Sequence, residues 1–386
     1  MDKRGCDISK KIIRMDPYLL IFLINLAVAF FANKCYGKSK IISALLLVVL
    51  VVINTVFAGN RDFGVGIDTN VYIDSFFNAA QSLGSVKDFF EFDGDKGFLL
   101  LACLASSFSD ESQSLLIVTE LFIQTFFYLA LWQYKKVENI SMFVATALFC
   151  IMFYCHTLNL MRQFCAISML AFAFSLFIQG KKISYGILQV LAFFFHSTSL
   201  VFIFVPILWS MSKMEDVRKR NIYSALLVIL LLVFMSFYFS FLTMLGSMDV
   251  VSDVYSDRYG ENSEFMRKSG YGLMNIFSLI YPVAFVVYAK VKKVTGNEAL
   301  FFMLLLSISV SIFLLLGFKI TFVDRISFYL SFIMFIFLPK IFSSNKINVA
   351  IKTVMFILYF SNWYSVYIVH HGGDIYPYKS KILNVR

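Results

Sequence analysis

Thr157-Leu158-Asn159-Leu160-Met161-Arg162-Gln163-Phe164 is a polar step between two long apolar runs, the second continuing Cys165-Ala166-Ile167-Ser168-Met169-Leu170-Ala171-Phe172-Ala173-Phe174. Runs of about 20 apolar residues on either side of so short a step are the pattern of two membrane-spanning helices joined by a tight turn. Arg162 opens the second run, where a guanidinium is expensive, so it needs a reason. One reason is snorkelling: a long side chain at a helix end reaches the headgroups and binds nothing in particular. The other is function, and the company Arg162 keeps bears on the choice.

The whole chain sets the class. Of its 386 residues, 59% are hydrophobic, 18% aromatic and 15% charged, against about 25% charged in soluble domains. The composition implies an all-α, polytopic integral membrane protein forming a single membrane domain over 1–386. The net charge of +10 comes from 34 basic and 24 acidic residues. Lys181-Lys182, Arg218-Lys219-Arg220 and Lys290-Val291-Lys292-Lys293 abut apolar runs and read as cytoplasmic anchors, not as a nucleic-acid surface. The six cysteines show no paired spacing for a disulfide framework or a metal site and read as small apolar residues. The apolar segment Tyr18–Ala32 lacks a small-residue cleavage site before Lys34, so a removable signal peptide is not expected.

Spans are expected at 17–33, 41–58, 114–134, 140–156, 161–179, 183–209, 222–245, 272–290, 298–318, 326–342 and 348–369, giving roughly 11 to 13 transmembrane segments. Phe98–Phe108 is too short to cross upright and reads as re-entrant or interfacial. Basic loops mark the cytoplasmic side at Lys135-Lys136, Gly180–Lys182, Lys213–Arg220, Lys290–Lys293 and Asn345-Lys346. Both flanks of 183–209 are then inside, so this run must cross twice or enter and return. Its middle, Phe195-His196-Ser197-Thr198-Ser199, becomes the outer turn of a broken or re-entrant helix pair. The first hairpin is ambiguous. The five basic residues of Met1–Arg14 favour a cytoplasmic N-terminus, whereas the three lysines of Asn33–Lys40 put that loop inside and 59–97 outside.

The loop 59–97 is the most polar connection. It begins Gly59-Asn60-Arg61-Asp62-Phe63-Gly64-Val65-Gly66-Ile67-Asp68-Thr69-Asn70-Val71-Tyr72, with glycines that permit a tight backbone and with Arg61 and Asp68 beside Tyr72. A solvated turn would read the same way. Asp93-Gly94-Asp95 has the spacing of a carboxylate metal pair, but such a tripeptide is common in surface turns, and no metal is expected there.

Arg61…Gly66-Ile67-Asp68…Tyr72, Lys96-Gly97-Phe98, Met161-Arg162-Gln163…Ala166, Phe195-His196-Ser197…Leu200 and Asp324-Arg325…Tyr329, taken in order, resemble EpsG-like, Wzy-type polysaccharide polymerases over nearly the whole chain. Ile67 stands where a threonine is usual, and Asp95 near where a glutamate usually precedes the Gly-Phe pair. The resemblance implies a multi-pass enzyme of the bacterial cytoplasmic membrane, working on its outer, periplasmic face; that selects the arrangement with 59–97, 246–271 and the tail 370–386 outside. It implies an inverting glycosyltransferase that joins oligosaccharide repeat units carried on undecaprenyl pyrophosphate, for O-antigen, capsule or exopolysaccharide. It implies a chain-length-regulating co-polymerase as partner, with no cofactor and no nucleic acid.

Such a reaction needs cations for the departing pyrophosphate and a base for the acceptor hydroxyl. Arg61, Arg162 and Arg325 suit the first task, because the guanidinium fork grips phosphate oxygens in pairs. Gln163 and Tyr72 would hydrogen-bond sugar or phosphate. His196 is the first candidate for the base and Asp68 the second; a packing histidine bonded to a hydroxyl is the plain alternative for His196. Asp324 is expected to orient Arg325 by an ion pair. Tyr255-Ser256-Asp257-Arg258-Tyr259 and the tail His370–Lys379 mix aromatic and polar groups as sugar sites do, and as ordinary loops do. Rival functions are a lipid-linked oligosaccharide flippase, which should show charges in both leaflets and internal duplication, an O-antigen ligase, which shares the donor, and an acyltransferase, which should carry an earlier intramembrane histidine than His156.

Overall fold

The computed structural model describes residues 16–246, 273–317 and 323–385. The Tyr255–Tyr259 loop, the Asp324 side chain and the basic Met1–Arg14 segment lie outside the described residues. Within them the chain is helical almost throughout, and each of the eleven apolar runs coincides with one helix or a broken pair. The long elements are α1 (Pro17–Cys35), α2 (Lys40–Gly59), α3 (Lys96–Phe108), α4 (Gln113–Glu138), α5 (Met142–Met152) and α6 (Met161–Ile178), then α7 (Lys182–Phe195) and α8 (Phe204–Ser212). They are followed by α9 (Val217–Gly246), α10 (Leu273–Val291), α11 (Asn297–Gly317), α12 (Val323–Phe342) and α13 (Val349–Trp363). Among the described residues, α1, α2, α4, α6 and α11 are each long and apolar enough to cross a membrane, and α12 does so as a bent pair.

The helix ends follow local chemistry. Pro17 opens α1 behind Asp16, whose carboxylate accepts from the amides of Tyr18 and Leu19, satisfying donors that a first turn leaves orphaned. Ser39, Ser141 and Asn348 cap α2, α5 and α13 in the same way. α12 bends by 45° between Met334 and Ile336. Pro339 is the cause: it lacks an amide proton, and its ring crowds the carbonyl four residues earlier, at position 335.

The bundle has two unlike faces. On the basic face, Asn33 Oδ1 accepts from the Met142 amide, Lys135 lies 5.4 Å from the Tyr36 ring centre, Lys340 pairs with Glu138, and Lys346 Nζ donates to the Lys293 carbonyl. The loop 33–40 therefore sits with the other basic loops, and 59–97 lies on the opposite face. There Gln113 bonds the Gly59 carbonyl, and Arg61 bonds that of Leu158. The tail joins them through Asp62 N–H to Lys379 O at 2.8 Å and Tyr18 Oη to Ile375 O at 2.8 Å.

Two short elements behave as their flanks require. α3 starts beside Arg162 and ends near Asp110, whose carbonyl accepts from Gln81 of the polar loop, so both its ends lie on the polar-loop face. α7 rises from the basic face, stops at His196, and the chain returns through a 3-10 turn (Ser197–Ile203) and α8. Its 14 residues extend about 21 Å, short of the roughly 30 Å of a hydrocarbon core. His196 is thereby recessed into the bundle. Gln189 Nε2 donates to the Ser199 carbonyl at 3.0 Å and clamps the two halves. Gly97 lets α3 cross there: a Cβ at this position would meet the Phe194 carbonyl carbon and oxygen at 3.0 Å.

A buried polar ladder ties the first helices together. Asn25 and Asn54 exchange amide hydrogen bonds at 2.8 and 2.9 Å, Gln124 Nε2 donates to Glu120 Oε1 at 2.6 Å, and Thr157 Oγ1 donates to the same oxygen at 3.1 Å. Between apolar helices, such pairs supply the adhesion that hydrophobicity cannot.

Candidate active site

The polar loop is built around a buried arginine. Arg61 is 1% exposed, and its three guanidinium nitrogens donate to the carbonyls of Ala58 (2.5 Å), Val65 (3.2 Å) and Leu158 (2.8 Å), with Met161 Sδ at 3.4 Å. Burial pushes its pKa down, and Glu120 pulls the other way. Gly66 adopts φ +96° where the loop passes Leu158; a Cβ there would meet the Leu158 carbonyl oxygen at 2.8 Å, so a side chain would be excluded twice over. The Asp68 amide then donates to Asn159 Oδ1 at 3.0 Å. Four contacts therefore place the loop on the 157–161 step, which sets where Asp68 and Tyr72 emerge.

Arg162 lies in the first turn of α6, 19% exposed, with Nη1 donating to Asp95 Oδ2 at 2.6 Å; Asp95 is 13% exposed. The guanidinium carbon lies 5.4 Å from the ring centres of both Tyr72 and Phe76, inside the range in which a cation is drawn to an aromatic face. Tyr72 and Phe76 are four apart on adjoining short helices, so both rings reach one side. Burial raises the Tyr72 phenol to about 12 while Arg162 pulls it down. Burial also pushes Asp95 up to about 6, against the pull of Arg162.

Around this clamp the other expected residues gather. Gln163, buried, donates from Nε2 to the Arg325 carbonyl at 2.7 Å and fixes the start of α12 against α6. Arg325 is half-buried, and its charge is felt at Tyr72. Asp68, half-buried at the start of the Thr69–Tyr72 helix, is felt there too. His196 Nδ1 lies 2.6 Å from Thr198 Oγ1, which donates to Tyr329 Oη at 3.1 Å. Tyr329 Oη also lies 3.4 Å from Nδ1, so the threonine and tyrosine hydroxyls together hold that edge of the imidazole.

Of the sequence-predicted residues, Tyr72, Asp68, Arg162, Gln163, His196 and Arg325 come together, while the Arg61 guanidinium is taken up by the carbonyls of Ala58, Val65 and Leu158. Sequence reasoning missed Asp95 as the partner of Arg162, Phe76 as its second aromatic wall, and Thr198 and Asn159 as positioning residues. Asp95 carried one readable signal: it immediately precedes the apolar run of α3, as an N-terminal helix residue does. Asp93 is exposed. Among the described residues no group of three or more His, Cys, Asp or Glu side chains is placed to hold a metal ion. On the α12 face below Arg325, one and two turns on, Phe328 and Ser331 line a cavity of about 120 Å³ shared with His156, Tyr359, Asn362 and Tyr367.

No curated protein and no solved structure matches this chain. A family model does, over residues 44–380, a range that takes in every residue of the cluster. The chain belongs to the EpsG family, the family of Wzy-like polysaccharide polymerases.

Proposed function

We propose that the protein polymerises oligosaccharide repeat units carried on undecaprenyl pyrophosphate, moving the growing glycan onto the non-reducing end of an incoming unit. The observation that carries this reading is the Arg162 clamp: a guanidinium paired with Asp95 and set over two ring faces, in a cluster with Gln163, Arg325 and His196. In the reaction the bond between the anomeric carbon and the pyrophosphate oxygen breaks. A glycosidic bond forms to the acceptor hydroxyl, the hydroxyl proton goes to a base, and the electron pair leaves with the lipid pyrophosphate. Arg162 and Arg325 hold that developing charge. His196 is the base this reading favours, and Asp68 is the second choice. Gln163 and Tyr72 position, and Arg61 serves by fastening the loop that carries Asp68 and Tyr72.

The basic loops gather on the far face of the bundle, which supports placing the cluster on the outer side of the bacterial cytoplasmic membrane. We read the transfer as inverting and as relying on protein cations, with a separate chain-length-regulating partner. The test is incubation of the purified protein with its lipid-linked repeat unit, without added metal, and separation of products by size. A ladder of multiples is expected. Single units carried across a liposome bilayer would replace this reading with a flippase, and one transfer to a different lipid acceptor would replace it with a ligase.

A further inference from the structure

On the basic face, far from the cluster, two cations converge on one ring. The Arg220 guanidinium carbon lies 4.5 Å from the centre of Phe301 and Lys290 Nζ lies 5.5 Å from it. Arg220 is 8% exposed, and its Nε is buried with no hydrogen-bond partner. A buried donor left without an acceptor costs about 1–3 kcal/mol, more for a charged group, and a ring quadrupole attracts each cation without cancelling the repulsion between them. Two carboxylates on the adjoining turns are otherwise placed. Asp216 accepts from the amides of Arg218 and Lys219 and lies 3.9 Å from Lys219 Nζ, and Glu298 is exposed on the first turn of α11. Among the described residues neither Arg220 nor Lys290 has an ion-pair partner. The N-terminal turn of α11, four residues before Phe301, adds the positive end of a 21-residue helix dipole.

We infer that Arg220 and Lys290 form an anion site between α9, α10 and α11 that takes a phosphate group, with the phosphodiester of an anionic phospholipid as its natural source. Two donors on neighbouring helices, one buried and one half-buried at the edge of the bundle, match a group that presents two acceptor oxygens from the headgroup layer. Phosphate bound there would supply the acceptor that Arg220 Nε lacks and would link the start of α9 to α10.

The experiment uses the full-length protein in detergent micelles doped with phosphatidylglycerol, with diacylglycerol of the same chains, or with inorganic phosphate alone. Native mass spectrometry reads retained lipid and thermal unfolding reads stabilisation. The inference expects one retained phosphatidylglycerol, no diacylglycerol, and retention roughly tenfold weaker in Arg220→Met and in Lys290→Met, while Lys87→Ala, on the opposite face, behaves as wild type. Stabilisation by phosphatidylglycerol alone identifies a lipid headgroup; an equal effect of inorganic phosphate identifies a soluble oxyanion. Equal retention of phosphatidylglycerol and diacylglycerol, or unchanged retention in both Met variants, would overturn the site. Lys290→Met keeps the test open if Arg220→Met fails to fold.

Discussion

Arg61 and Arg162 touch opposite sides of one turn and have opposite fates. Arg61 gives all three nitrogens to main-chain carbonyls and is closed to solvent. Arg162 pairs through Nη1 with the Asp95 carboxylate and lies over the rings of Tyr72 and Phe76. Both are arginines at helix ends in a membrane protein, and either could have been dismissed as snorkelling. The difference lies in the acceptors. Main-chain carbonyls on three sides turn a guanidinium into a tie between segments, whereas a carboxylate and two ring faces hold the other as a side-chain cluster.

The largest expected effect is on Arg61. Arg61→Ala leaves three carbonyls without a donor and should cost about 3 kcal/mol or more of stability, visible as a large drop in Tm of the purified protein. A stable but inactive Arg61→Ala protein would erase the contrast and return Arg61 to the substrate. Next is Arg162→Ala, which should insert and fold yet lose about 10²–10³ in polymerisation rate. Arg162→Lys should fail with it, because an ammonium cannot offer a fork, and normal polymer from both would sink the pyrophosphate assignment. His196→Gln should cost about 10²-fold or more, and more than Asp68→Asn; the reverse order would exchange their roles.

The smallest effect sharpens the comparison through pH. Asp95 has its proton affinity raised by burial, from 3.8 to about 6. Polymerisation should fall as pH drops through about 6 and the carboxyl that orients Arg162 becomes neutral, a limb absent from Asp95→Asn. Stability runs the other way. The folded state binds this proton more tightly than the unfolded chain does, so the contribution is full below about pH 4 and is lost as pH rises to about 6. The difference is worth up to roughly 3 kcal/mol, and unfolding of wild type and Asp95→Asn at stepped pH values measures it.

Much of the fold was legible because membrane helices announce themselves by length and apolarity. The His196 break was legible for another reason: basic loops on both sides of 183–209 left no alternative to a return. The 45° bend of α12 was written in Pro339, though a span count passes over it. The site was legible as a set of residue types but not as a geometry. A sequence states that Arg61 and Arg162 are cations; it does not state that Ala58, Val65 and Leu158 will turn their carbonyls on one of them. The Arg162–Asp95 pair joins residues 67 apart, and no local periodicity connects them. Ile67 is exposed while its amide bonds the Gly373 carbonyl at 2.9 Å; there the backbone carries the contact.

That last bond belongs to a set with a consequence for biogenesis. The Gly66 amide bonds Asp374 O, Tyr378 Oη bonds Phe57 O, Ser380 Oγ bonds Asn60 O, and the Lys381 amide bonds Asp62 Oδ1 across 319 residues of sequence. The ribosome delivers the loop early and its fastener very late. Every helix through Trp363 is therefore made before the loop bearing Asp68 and Tyr72 can be fastened on the tail side. Without residues 370–381 the loop that bears Asp68 and Tyr72 would keep only its bonds to the 157–161 step and α4.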